Sequence, residues 1–210
     1  MEELITIKNN VQEEIVEKKS KFIANLFYVE TIEQAENIIK ETKKKYFDAR
    51  HNCIAYRILE NGKIVEKSSD DGEPSGTAGG PMLNILQKNK FVNVLIIVTR
   101  YFGGILLGTG GLVRAYSDSL QKAIEISEKI TIYEGIEMEV TLDYNYFETF
   151  KYYCRNNDIS IINSEYSEFI RCNIITKEEI RKKFLMDYET KNINVKNIKE
   201  LNKKYIKKSI

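Results

Sequence analysis

Two stretches of this chain hold residue types that could do chemistry. The first is VTRYFGGILLGTGGLVRAYSDS, residues 98–119, where Gly103, Gly104, Gly108, Gly110 and Gly111 punctuate the passage from an apolar run to a helical pattern. A glycine-rich junction of this kind leaves backbone N–H groups unpaired at the positive end of a helix. It also lacks the Cβ atoms that would hold a ligand away. With Thr109 in the loop and Arg100 and Arg114 flanking it, the pattern can take a phosphate group. No G-K-[ST] follows, so this is not a Walker A loop, and the glycines do not sit in a convincing dinucleotide-binding unit. Close packing of a helix on a strand would ask for the same glycines, and the pattern alone leaves both readings open.

The second stretch is SSDDGEPSGTAGG, residues 68–80, which brings Asp70, Asp71 and Glu73 within four positions. Three neighbouring carboxylates can hold a hard cation such as Mg²⁺. They can equally make a solvated turn or a polar network that fixes the loop. His51, the sole histidine, begins an apolar segment in DARHNC. A histidine there is usually a hydrogen-bonded structural residue, and a catalytic role would require the acidic loop to fold back onto it. Cys53 reads as a small packed side chain. No serine sits in a G-x-S-x-G elbow, so conventional hydrolase chemistry has no support.

The elements that must position these residues follow from periodicity and punctuation. Residues 22–29 are apolar and aromatic at strand length. Thr31 with Gln34 three residues on is a capping-box start, and Ile32, Ala35, Ile38 and Ile39 give the stripe of the helix that follows. A strand over 52–59 meets the turn signal Asn61-Gly62 and returns over 63–67. Pro81 suits the first turn of a short helix to Lys88. Residues 92–99 read as a buried strand, and 110–127 as a helix with Leu112, Tyr116, Leu120 and Ala123 on one face. From 133 onward the order is strand, helix, strand, strand, helix and a final extended segment. That βαββαβ order is the ferredoxin-like pattern. The expectation is therefore an α+β protein of two domains, 1–131 and 132–210.

The totals narrow the class. At 210 residues the chain is comfortable for two domains. A formal net charge of +1 neither demands nor excludes a nucleic-acid partner. The last segment is less balanced: residues 177–210 carry eleven Lys/Arg against five Asp/Glu, and Lys203, Lys204, Lys207 and Lys208 bracket Tyr205. Such a surplus can bind a phosphate backbone, or it can be an exposed terminus of a lysine-rich chain. Cys53, Cys154 and Cys172 form no C-x-x-C pair, which argues against a cysteine metal site and fits a reducing cytosol. No secretory signal is visible, and the longest apolar run, 94–98, is too short for a bilayer. Location in the cytoplasm, no membrane partner and no metal or cofactor are the expectations.

DARHNCIAYR (48–57), SDDGEPSGTAGGPML (69–83) and VTRYFGGILLGTGGLVRAYSDS (98–119) resemble, in order and spacing, the three motif blocks of the Impact/YigZ family. The resemblance covers residues 15–127 closely, and the remainder looks like the more divergent C-terminal domain of bacterial members. It implies an N-terminal domain of the superfamily that includes ribosomal proteins, domain IV of elongation factor G and the GHMP kinases, followed by a ferredoxin-like domain. Eukaryotic relatives are linked to translational control through a further N-terminal module. RNA or ribosome binding is the inference usually made for bacterial ones, with a protein partner in translation as another possibility. The same resemblance marks Arg50, His51, Asp70, Asp71 and Glu73 as motif positions without giving a catalytic set. Tyr101 and Phe102, beside the loop, are candidates to stack on bases. The competing expectation is a nucleotide- or phosphate-dependent enzyme, kinase- or hydrolase-like, that uses the glycine-rich loop with Mg²⁺ on the acidic loop.

Overall fold

Strand β6 (Val94–Tyr101) organises the first half of the molecule, because its run of branched aliphatics is buried on both faces. In the computed structural model, which describes residues 3–60 and 62–207, it is the centre of a five-stranded antiparallel sheet. The other strands are β2 (Val11–Glu17), β3 (Ser20–Tyr28), β4 (His51–Glu60) and β5 (Lys63–Ser69), in the order β2-β3-β6-β4-β5. A short strand β1 (Leu4–Ile7) precedes them, and its Ile5 bridges Phe91.

Strand alternation sorts the side chains onto two faces. Val94, Ile96 and Val98 join Phe22, Ala24, Cys53 and Ala55 against α2 (Gly79–Lys88) and α3 (Gly108–Ile126). Leu95 and Ile97 join Ile54, Tyr56 and Ile58 against Ala35 and Ile39 of α1 (Ile32–Lys45). Helix α1 starts as its sequence requires: the Thr31 hydroxyl accepts from the Gln34 N–H at 3.1 Å, and the Gln34 side chain accepts from the Glu30 N–H. The lysines of its last turn, Lys43 to Lys45, suit the negative end of the dipole. The turn between β4 and β5 includes Asn61, outside the described residues.

The chain divides into two compact units, Glu3–Thr131 and one that begins at Ile132, within β7 (Lys129–Leu142). The second unit continues through α4 (Phe147–Asn156), β8 (Ser160–Tyr166), β9 (Ile170–Thr176), α5 (Glu178–Glu189) and β10 (Asn197–Lys207). Its strands pair antiparallel in the order β10-β7-β9-β8. One face buries Met138, Val140, Leu142, Ile170, Cys172 and Ile174 against Phe150, Cys154 and Phe184 of the two helices. This is a mixed α+β architecture with βαββαβ connectivity in its second half.

The strands β1 and β2 escape the sequence reading. VQEEIVE has glutamates at three of seven positions and, among the described residues, pairs on one side only, with β3, so its hydrophobic alternation is weak. Helix α3 begins at Gly108, two residues earlier than the pattern suggests.

Candidate functional site

Register brings the motif residues together. In the β4–β6 pairing His51 lies opposite Arg100, and in the β3–β6 pairing Phe22 lies opposite Arg100. All three point to the sheet face covered by α3. From that helix Tyr116 rises to meet them, its ring edge-on to Phe22 at 5.2 Å. The acidic loop then folds over the row and inserts Glu73.

Glu73 is the hub. It is only 8% exposed, and its Oε1 accepts from Arg100 Nη1 at 2.7 Å and from the Tyr116 hydroxyl at 2.8 Å. His51 Nε2 stands 3.9 Å from the same oxygen. The other ring nitrogen, Nδ1, lies 2.9 Å from the Asp71 carbonyl oxygen. A carbonyl can only accept, so Nδ1 carries the proton. Burial, then the nearby Cys53 and Glu73, push the Tyr116 phenol far up, so it acts as a neutral donor to Glu73. Burial also pushes the Cys53 thiol up to about 12, against the lowering effect of Tyr116 and with help from Glu73, Asp71 and Asp70. The thiol donates to the Asp70 carbonyl oxygen at 2.9 Å.

The three carboxylates of the acidic loop diverge. Asp70 turns back onto the start of α2, where its Oδ1 accepts from the N–H groups of Ala78 and Gly79 and its Oδ2 from that of Gly76. Burial raises the Asp70 carboxyl, but these three donors outweigh it and hold the group below its ordinary range. Asp71 accepts from the Asn52 N–H at 2.7 Å and pairs with Lys43 at 2.5 Å. With Glu73 turned inward, the loop is a polar network, and among the described residues no cluster of His, Cys, Asp and Glu has the geometry of a metal site.

The expectation for Arg100 changes with this geometry. Read from sequence as a cation flanking the glycine loop, it is 6% exposed and held by Glu73. Its guanidinium lies over the rings of Phe22 and Phe102, at 5.4 and 5.6 Å. It positions the loop from behind and leaves Arg114 as the exposed cation of the pair. Arg50 is exposed, one residue before the row.

The glycines divide by role. Gly103 packs against the β2–β3 turn so closely that a Cβ there would lie 2.0 Å from the Lys19 carbonyl, and its N–H donates to the Ser20 hydroxyl. That turn places Lys18 and Lys19 at positive φ. Gly104 and Gly108 also have positive φ, at +84° and +71°, with open space where a side chain would be. Thr109 and Gly110 are exposed, and Gly111 rests on Leu107. Helix α2 is capped by Asp70, whereas α3 has no side-chain cap among the described residues. A Cβ on Gly110 would meet only Arg114 Nη1, at 3.9 Å, so the guanidinium lies back over the first turn. Phe102, Ile105 and Leu106 are exposed around this opening, Leu106 at 82%. Tyr101 is half-buried and donates to Asp48.

In the basic last segment, part of the charge is neutralised within the second unit. Lys203 pairs with Glu134, Lys204 with the buried Glu137, and Lys196 with Asp143. Lys208 lies outside the described residues.

The sequence places Tyr116 on the packed face of its helix but assigns neither it nor Ser20 to the site. A tyrosine at a buried helical position was the available signal, since its hydroxyl needs a partner.

Comparison with known proteins gives concordant matches. The family model of the Impact N-terminal domain matches residues 18–124. The chain is 37% identical to IMPACT family member YvyE of Bacillus subtilis over 206 residues, 98% of this chain and 94% of that protein. It is 36% identical to IMPACT family member YigZ of Escherichia coli over 161 residues, 76% of this chain and 78% of that one. A solved structure described as a hypothetical protein aligns over 96% of this chain and 100% of its own, with a TM-score of 0.61 and 30% identity.

Proposed function

The chain belongs to the Impact family, and from that premise we propose that it is a translation-linked binding protein that meets RNA or the ribosome through the glycine-rich start of α3. The observation that carries this reading is the position of Arg114. A cation beside a helix N-terminus sits at the wrong end of the dipole. With no side chain capping the first turn among the described residues, that arrangement becomes favourable when an anion such as a backbone phosphate lies between them. Phe102 beside the opening offers a ring on which a base can stack. Such contacts fix position without reading sequence.

The kinship of the N-terminal unit with the elongation-factor-G-domain-IV-like superfamily, and of the second unit with ferredoxin-like domains, belongs to the same proposal. Location in the cytoplasm is likewise part of the reading. Its support is three buried free thiols and the lack, among the described residues, of a helix long and apolar enough to cross a membrane.

The phosphoryl-transfer alternative needs carboxylates that converge on a cation. Asp70, Asp71 and Glu73 are each committed to separate partners within the fold. Ribosome co-sedimentation with Arg114→Glu tests the favoured reading, and loss of salt-sensitive association is the expected result.

A further inference from the structure

Strand β2 ends the sheet, and among the described residues its outer edge pairs with no other strand. Both sides of this edge are hollowed. On the face shared with α1, a groove of 630 Å³ opens between β2 and the helix, with Gln12, Asn25, Phe27, Thr42 and Tyr46 along it. On the opposite face, a smaller cavity of 130 Å³ lies between Ile15 and Glu17 of β2 and Leu107 and Asp118 at α3.

Successive side chains of a strand point to opposite faces. A strand added at this edge would therefore send alternate side chains into the two hollows while its backbone pairs with β2. The floor of the larger hollow is polar and aromatic. Asn25 is 6% exposed, and its amide nitrogen has no hydrogen-bond partner among the described residues.

Charge selects the occupant. Within seven residues β2 carries Glu13, Glu14 and Glu17, and of these only Glu14 has an ion-pair partner among the described residues, Lys21. An antiparallel pair of two β2 edges would set glutamates against glutamates, which disfavours a second copy. A strand with lysine or arginine at alternate positions meets these glutamates. These basic side chains lie on the α3 face with Glu13 and Glu17, and the residues between them enter the larger groove past Phe27, Ile38 and Tyr46. Lys18 and Arg114 line the smaller cavity with Glu17 and Asp118, and Lys45 lines the larger groove with Glu41, so with Glu13 the carboxylates on the α3 face outnumber the cations.

We propose that the outer edge of β2 is a docking site for an extended, lysine- or arginine-rich polypeptide segment, bound by strand addition. The smaller cavity shares Arg114 with the proposed nucleic-acid contact at α3, but peptide preference and exchange along β2 are read without RNA, so failure of one is distinguishable from failure of the other.

The full chain, isotope-labelled for amide exchange, is titrated with a peptide as long as β2 that alternates lysine and valine. A matching peptide of alternating glutamate and valine serves as the control. The expected result is binding of the lysine peptide alone, with alternate amides of Val11–Glu17 exchanging about tenfold more slowly. The double variant Glu13→Lys, Glu17→Lys is expected to reverse the preference between the two peptides. The proposal is overturned if neither peptide binds, if both bind equally, or if the lysine peptide binds while exchange along β2 is unchanged.

Discussion

Arg100 and Glu73 form a buried ion pair at 2.7 Å that ties the central strand to the acidic loop. Each member also holds something else. Glu73 accepts from Tyr116 of α3, and the second Arg100 nitrogen, Nη2, lies 3.4 Å from Ser20, whose hydroxyl accepts from Gly103. The acidic loop, the sheet, the helix and the glycine loop thus share one polar centre.

Removing one member of such a pair leaves the other charge buried and uncompensated. Arg100→Ala and Glu73→Gln are each expected to lower stability by about 3 to 5 kcal/mol, read from urea denaturation. Replacing both by methionine is expected to restore most of that loss. If Arg100→Ala is neutral, the centre does not hold the fold.

Gly103 has a different reason to be glycine. A side chain there meets the Lys19 carbonyl at 2.0 Å, which is backbone and cannot swing aside. Gly103→Ala is expected to cost about 2 kcal/mol or more, whereas Gly110→Ala, which meets only the mobile end of Arg114 within a helix, is expected to be neutral or to stabilise by up to about 1 kcal/mol. Thermal midpoints of the two variants check the contrast.

Asp70 acts as the cap that α2 lacks from Ala78. Asp70→Ala orphans three backbone donors and is expected to cost about 2 kcal/mol. Because the folded carboxyl lies below its unfolded value, its contribution is whole above about pH 4 and is lost as pH falls through the folded value. Asp70→Asn should therefore flatten the acid limb of the stability curve, measured by urea titrations across that range.

How much of this could be read from the chain depends on the kind of information each feature needs. Helix α1 was legible because Thr31, Gln34 and the 3.6-residue stripe are local signals. The glycine loop was legible for the same reason. The partnership of His51, Arg100 and Tyr116 was not, since it depends on strand register and on the depth at which α3 packs. Arg100 shows the limit best. Its place beside the loop is written in the sequence, but parity along β6 turns it inward. The outward residue of that pair is Arg114, which its helix phase leaves exposed.

The cysteines offer a test of burial. Burial pushes Cys53 and Cys154 each up to about 12, and raises Cys172 as well. With so little thiolate, none should react with iodoacetamide in the folded protein at neutral pH, and all three should react in denaturant. Mass spectrometry counts the adducts, and rapid labelling of Cys53 in the native state would contradict the packing of the polar centre.

Co-sedimentation with purified ribosomes across a salt series tests whether the start of α3 faces RNA or the ribosome. Arg114→Glu serves as the site variant, after its thermal midpoint has been shown to match the unmodified protein. Association at low salt that weakens as salt rises is expected, with about a tenfold loss of affinity in the variant. No association at low salt, or equal association by both proteins, would contradict it.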